Sequence, residues 1–222
     1  MIHRFLVTLA TGIGLAATTG LAGGWAVTTI RDVPDYARVG TPIRLELAVR
    51  QHGVHLGAMP GVRVEAGHGK QTLNFRVTPA AKAGYFVADG TFPSAGLWTL
   101  TTSTGLFGKA RVDLQVVTAD APKPVISAAN RGRALFSAKG CVTCHRHDAV
   151  VGAETIEVAP DLSDRRYPDE VLKARLWKPS PCVSGRPCMP NLDLSSEEIG
   201  ALVAFVNSGT TGATETQVRR VQ

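Results

Sequence analysis

Hydrophobic and polar residues alternate along the first half of the chain. Ile43, Leu45, Leu47 and Val49 are spaced by two, as are Leu73, Phe75 and Val77, and later Ala110, Val112, Leu114 and Val116. Side chains two apart share one face of a strand, so each run predicts a half-buried β-strand. Trp25 to Ile30 reads as the first strand, and Gly84 to Phe92 and Leu97 to Thr102 as two more, parted by the turn Pro93-Ser94-Ala95-Gly96. About seven short strands punctuated by Gly and Pro predict an immunoglobulin-like β-sandwich over residues 24–118.

The rhythm breaks at residues 119–128, where Pro122 and Pro124 predict an extended linker. Beyond it the apolar period becomes helical. Ala129 to Lys139 predicts one helix, and Pro168 in a first-turn position, with Asp169 and Glu170 behind it, opens a second that runs to Trp177. Ser195 and Glu198 at capping-box spacing announce a third, with Ile199, Leu202, Val203 and Val206 on one face and Gly209 as its stop. Residues 129–210 therefore predict a separate all-α domain, followed by a flexible tail over 211–222.

With 222 residues, 44% hydrophobic and 19% charged, the chain has room for two small cores and is neither a disordered tail nor a multi-span membrane protein. Its net charge of +6 is not gathered into one basic stripe, which excludes a nucleic-acid binder. Residues 1–22 have the layout of a secretory signal: Arg4, an uncharged run from Phe5 to Ala17, then small residues to a cleavage point after Ala22. An uncleaved anchor is the other reading, since no charge falls between Phe5 and Ile30. Either one delivers the remainder to the periplasm.

The chemistry is concentrated in Cys141-Val142-Thr143-Cys144-His145. This C-x-x-C-H spacing predicts covalent attachment of one c-type haem, with two thiols bonding the vinyl groups and the adjacent His145 ligating iron. A redox C-x-x-C would want a βαβ context, and a zinc site would want two further ligands. Once the initiator is set aside, only Met59 and Met189 remain, and Met189 alone lies in the predicted haem domain. His147 is one residue removed from His145, too close for the chain to carry it to the opposite haem face, and is expected to be exposed. Tyr167, Trp177, Arg165 and Arg166 are candidates for holding the haem propionates. Cys182 and Cys188 flank a five-residue loop beside Met189; outside the cytoplasm a disulfide is the default, with a free dithiol or a metal pair as alternatives.

Two resemblances extend this reading. The order Pro34-Asp35-Tyr36, Gly40-Thr41-Pro42, Gln51-His52-Gly53, Gly84-Tyr85 and Ala95-Gly96-Leu97-Trp98 resembles the YtkA-like and FixH-like extracytoplasmic domains. The stretch 130–208 resembles the class I monohaem cytochromes c, on Gly132, Leu135 and Phe136 before the haem motif, Pro160-Asp161-Leu162 after it, and the segment from Met189 to Ile199. This resemblance implies an all-α class I cytochrome c fold, Met189 as the sixth iron ligand, and a Pro160 carbonyl that accepts the His145 Nδ1 proton.

His52, His55, Met59 and His68 hold three of the chain's six histidines in one Gly-rich stretch and form a candidate copper set. The whole predicts a periplasmic one-electron carrier or cytochrome subunit, serving redox partner proteins and a membrane respiratory complex, rather than an enzyme with its own turnover site. The rival functions are a haem enzyme with an open iron site and a copper-handling or redox-sensing module built on the β-domain.

Overall fold

The computed structural model describes residues 24–181 and 188–209. The signal or anchor read on residues 1–22, Cys182 and the 211–222 tail lie outside them. Among the described residues the strands form two five-stranded sheets. One runs β1 (Ala26–Ile30), β3 (Pro42–Gln51), β8 (Tyr85–Thr91), β7 (Arg76–Pro79), with β4 (His55–Leu56) also on β3. The other runs β2 (Tyr36–Arg38), β10 (Ala110–Val117), β9 (Gly96–Ser103), β5 (Arg63–His68), β6 (Gln71–Asn74). β2 joins β10 in parallel, whereas β1–β3, β3–β8 and β9–β10 are antiparallel. Trp98, Phe92, Leu45, Leu47, Leu100 and Leu114 are fully buried and contribute to the core.

The alternation in β10 is realised as read, with Ala110, Val112, Leu114 and Val116 buried and the residues between them outside. The run Leu73, Phe75, Val77 is not one strand. The chain changes sheets at Phe75, so Leu73 lies in β6 and Val77 in β7. The Phe75 ring fills the corner against Gly90, where a Cβ would stand 2.6 Å from it. Such a switch is one way in which two stacked sheets share a strand segment.

Four helices follow: α1 (Ala128–Ala138), α2 (Cys141–Cys144), α3 (Asp169–Trp177) and α4 (Ser196–Ser208). Ser127 caps α1, and Ser195 and Glu198 form the expected capping box on α4. α1 crosses α4 at Gly132, where a Cβ would meet the Ala201 carbonyl oxygen at 1.9 Å and the Phe205 Cβ at 2.7 Å. The Phe136 and Phe205 rings pack there with centroids 5.5 Å apart.

The predicted fold, an immunoglobulin-like sandwich followed by an all-α class I cytochrome c domain, is not what forms. The chain is mostly β-strand in two sheets with four short helices, and no all-α C-terminal domain is present among the described residues. The reason lies in β1. A strand with one wet face would bury every second residue, yet all five residues of β1 are buried. Its second face is covered by the helical segment. Gly140, at φ +81, is seated so closely that a Cβ would meet Val27 Cγ1 at 2.3 Å and the Thr28 carbonyl at 3.0 Å. The Thr29 hydroxyl donates to the Lys139 carbonyl at 3.2 Å, and Arg131 of α1 pairs with Asp35 at 2.7 Å. Buried residues of strands and helices accordingly make one continuous core.

The connection over 119–127 has no regular structure, as expected of a linker, but its start is tied down. Arg38 of β2 donates to the carbonyls of Thr118, Ala119 and Ala121 at 3.2, 2.6 and 2.9 Å. A second tie is Glu154, whose carboxylate accepts the backbone N–H groups of Gly108 and Lys109, each at 3.0 Å. Its own N–H donates to the Lys109 carbonyl at 2.9 Å, and the next contact along, Ile156 N–H to the Thr143 carbonyl at 2.8 Å, passes the restraint to α2.

Two outcomes follow from this packing. Gly132→Ala forces α1 away from α4 and is expected to destabilise by about 3 kcal/mol in urea unfolding, because the obstacle is backbone. Gly200→Ala, on the same helix pair but facing open space, is expected to stabilise by about 0.5–1 kcal/mol. The two N–H bonds also hold the Glu154 carboxyl below its ordinary value of 4.5. Its contribution to stability is therefore complete above pH 4.5 and is lost as pH falls through the depressed folded value. Glu154→Gln is expected to flatten the acid side of the stability–pH curve below pH 4.5, measured by urea titrations at successive pH values.

Candidate functional site

The four-residue helix α2 sorts its side chains by depth. Val142 and Thr143 are 1% and 0% exposed, turned into the protein, with Gly108 of the sandwich close behind Thr143. Residues three apart on a helix share a face, so Cys141 and Cys144 stand together on the other, half-buried side. Neither is in a disulfide. Burial pushes the Cys141 thiol up to about 12 and the Cys144 thiol up to about 11. Both are therefore protonated at neutral pH as free thiols. Among the described residues no group of three or more His, Cys, Asp and Glu is placed to hold a metal ion.

His145 ends α2 in extended conformation, its N–H donating to the Cys141 carbonyl at 2.9 Å. Its Nδ1 lies 2.9 Å from the Pro160 carbonyl oxygen. A carbonyl only accepts, so Nδ1 carries the proton and Nε2 keeps its lone pair. Burial lowers the pKa of the ring, outweighing the Pro160 contact that favours the charged form, and so keeps the imidazole neutral and ready to ligate. Leu162 N–H to the Arg146 carbonyl, 2.9 Å, fixes the strand of chain that presents Pro160.

These residues fit a c-type haem: two free thiols on one half-buried face, then an oriented imidazole with one free nitrogen. Val158, on the chain just before Pro160, and Val171 and Trp177 on α3 are large apolar side chains left open to solvent. α3 itself buries none of its residues. Cys141, Cys144 and His145 would hold the group.

Met189 is half-buried in an irregular segment that runs into the Ser195 cap. Cys188 beside it is disulfide-bonded, in line with the default expected outside the cytoplasm; its expected partner, Cys182, lies outside the described residues. His147 departs from expectation. Far from exposed, it is 1% accessible, its ring stacked on Phe205 at 4.2 Å and edge-on to Phe136 at 5.8 Å. The Ala149 N–H donates to its Nδ1 at 3.2 Å, so the proton sits on Nε2, which finds no partner among the described residues. The flat ring completes the α1–α4 contact, which is what draws it inward.

The propionate candidates are dispersed in role. Arg166 donates to the Asn207 carbonyl at the end of α4, and the Tyr167 N–H donates to the Asn207 side chain at 3.0 Å. Trp177 and Arg165 are exposed. The copper candidates have separate engagements: His52 lies edge-on to Trp25, His55 is exposed on β4, Met59 packs on the core, and His68 Nδ1 meets the Leu97 carbonyl at 3.0 Å. Four residues that hold the site in place escaped the sequence reading: Arg50, Lys139, Glu154 and Thr143. None of the four carries a sequence signal for that role; the Glu198 partner of Lys139 does, through its capping-box spacing.

No family model matches the chain, and no curated protein matches it. Among solved structures it is similar to surface layer protein SbsC, domains 1–6, at 14% identity and a TM-score of 0.34, over 46% of this chain and 13% of that one. The ZirS C-terminal domain is similar at 9% identity and a TM-score of 0.32, covering 53% of this chain and 85% of that one. A superoxide reductase (neelaredoxin) from Ignicoccus hospitalis is similar at 12% identity and a TM-score of 0.29, over 43% of this chain and 83% of that one. At such identities and scores neither function nor fold passes from them to this chain.

Proposed function

We propose that the chain is a periplasmic one-electron carrier bearing a single covalent haem c, serving a redox partner protein of a respiratory complex. The observation that carries this reading is the C-x-x-C-H turn itself: two free thiols on one half-buried face beside an imidazole whose Nδ1–H is already given to Pro160. Attachment needs reduced cysteines, and Cys141 and Cys144 are both free; each would form a thioether with a haem vinyl group, a net addition of S–H that needs no oxidant and releases no leaving group.

Haem c, when bound, supplies a reversible one-electron couple between ferric and ferrous iron. The protein's share is ligation and orientation. His145 offers Nε2, and its hydrogen bond to Pro160 fixes the ring and raises its basicity. Met189 would be the second protein ligand, its thioether a soft neutral donor that favours the ferrous state. His147 is withheld by its stack on Phe205, which supports Met189 over it as the sixth ligand.

Acidic acetone is expected to leave one haem on the denatured wild-type chain; extraction of the haem would overturn covalent attachment. Met189→Ala is expected to let carbon monoxide bind the ferrous protein, to abolish the far-red methionine-to-iron band and to lower the reduction potential. His147→Ala is expected to leave that band in place while reducing stability, since it vacates a ring-sized site in the core. A band that survives Met189→Ala in optical titrations would remove the methionine ligand.

A further inference from the structure

Lys139 lies two residues ahead of Cys141, yet its side chain is only 3% exposed. The ammonium pairs with Glu198 Oε1 at 2.7 Å and donates to the Arg31 carbonyl just past β1. Its own carbonyl takes the Thr29 hydroxyl, and Thr29 in turn accepts from Arg50 Nη1 at 3.2 Å. Glu198 uses its other oxygen, Oε2, to accept the Ser195 N–H at 3.0 Å, and Ser195 closes the segment that begins at Cys188 and includes Met189. Asp193, within that segment at φ +51, has its N–H held by Asn191 Oδ1 at 3.0 Å.

Lys139 at the end of α1 thus ties the Glu198 carboxylate, just past the methionine segment, to the end of β1, and Arg50 of β3 braces the Thr29 hydroxyl that holds the Lys139 carbonyl. The same strands seat Gly140 and the turn that carries both thiols. A buried ammonium cannot leave its carboxylate without exposing both charges to an environment that does not solvate them, so such a pair fixes position firmly.

Resting on the haem reading above, we propose that Lys139, with Arg50 beside it, is a positioning residue that locks the Met189 segment to the haem-attachment turn through the sandwich, and so governs how readily the sixth ligand lets go. The β-sheets are then part of the ligand-holding apparatus and not only a spacer.

The test uses the secreted, haem-bearing full chain. Imidazole titrated against the ferric protein competes with Met189, and its apparent affinity scales with the fraction of molecules whose segment is open. Lys139→Met is expected to raise that affinity about tenfold or more, with the covalent haem retained and the far-ultraviolet circular dichroism unchanged. Arg50→Gln is expected to act in the same direction, and carries the test if Lys139→Met fails to accumulate. Leu73→Ala, in β6 at the far edge of the other sheet, is expected to lower unfolding stability without changing imidazole affinity. Wild-type affinity in both Lys139→Met and Arg50→Gln, or an equal rise in Leu73→Ala, would overturn the proposal while the haem reading stands. A wild-type chain lacking the methionine band overturns both, and is read before any variant is made.

Discussion

The structure depends on the burial of β1 from both sides. One face of the strand belongs to the space between the sheets, and Ile30, Leu45 and Leu47 fill it with apolar side chains. The other face offers Val27 and Thr29 to the helical segment, and that face cannot stay wet, since Gly140 and Lys139 close over it. A mixed contact of this kind requires each polar group to be answered. Thr29 is answered by Arg50 and the Lys139 carbonyl, and the Lys139 ammonium by Glu198 and the Arg31 carbonyl. Removing one partner of such a buried ion pair leaves the other charge unpaired and costs about 3–5 kcal/mol. The helices are thereby fixed to the sheets by groups that cannot slide.

That constraint explains which parts of the fold were legible. Alternation in Val112, Leu114 and Val116 and the capping box at Ser195 and Glu198 are local signals, and both formed as read because strand pleat and helix cap are decided within a few residues. The separate all-α domain was not legible, because what abolishes it is a contact between residues more than a hundred positions apart. Thr29 and Lys139 carry no sequence mark of their meeting. The split at Phe75 has the same origin: an unbroken period of two from Leu73 to Val77 does not record that the chain changes sheets between them.

The chemical motif was legible for the opposite reason. Its meaning resides in the adjacency of Cys144 and His145 and in the three-residue step to Cys141, which survive whatever the rest of the chain does. Its surroundings add detail that spacing does not carry: burial raises the pKa of both thiols, and the Pro160 carbonyl takes the His145 Nδ1 proton. His147 shows the limit of arguing from reach alone. Proximity to His145 disfavoured it as a second ligand, but said nothing about where its ring would go, and a flat aromatic-like ring beside Phe136 and Phe205 was drawn into the core.

A carrier that exchanges one electron works best when its ligands move little between oxidation states, since any rearrangement must be supplied before transfer. A helical segment closed only on itself would rely on its short helices for that rigidity, and here α3 only half-buries Leu172 and Leu176 and α2 is four residues long. The sheets supply what the helices lack. Glu154 on Gly108 and Lys109, Thr143 against Gly108, and Lys139 on the Arg31 carbonyl each join the helical segment to a strand end whose ladder is already formed. On the proposed reading, the rigidity that electron transfer asks of the iron ligands comes from the β-structure, and the helical segment has given up an independent core to obtain it.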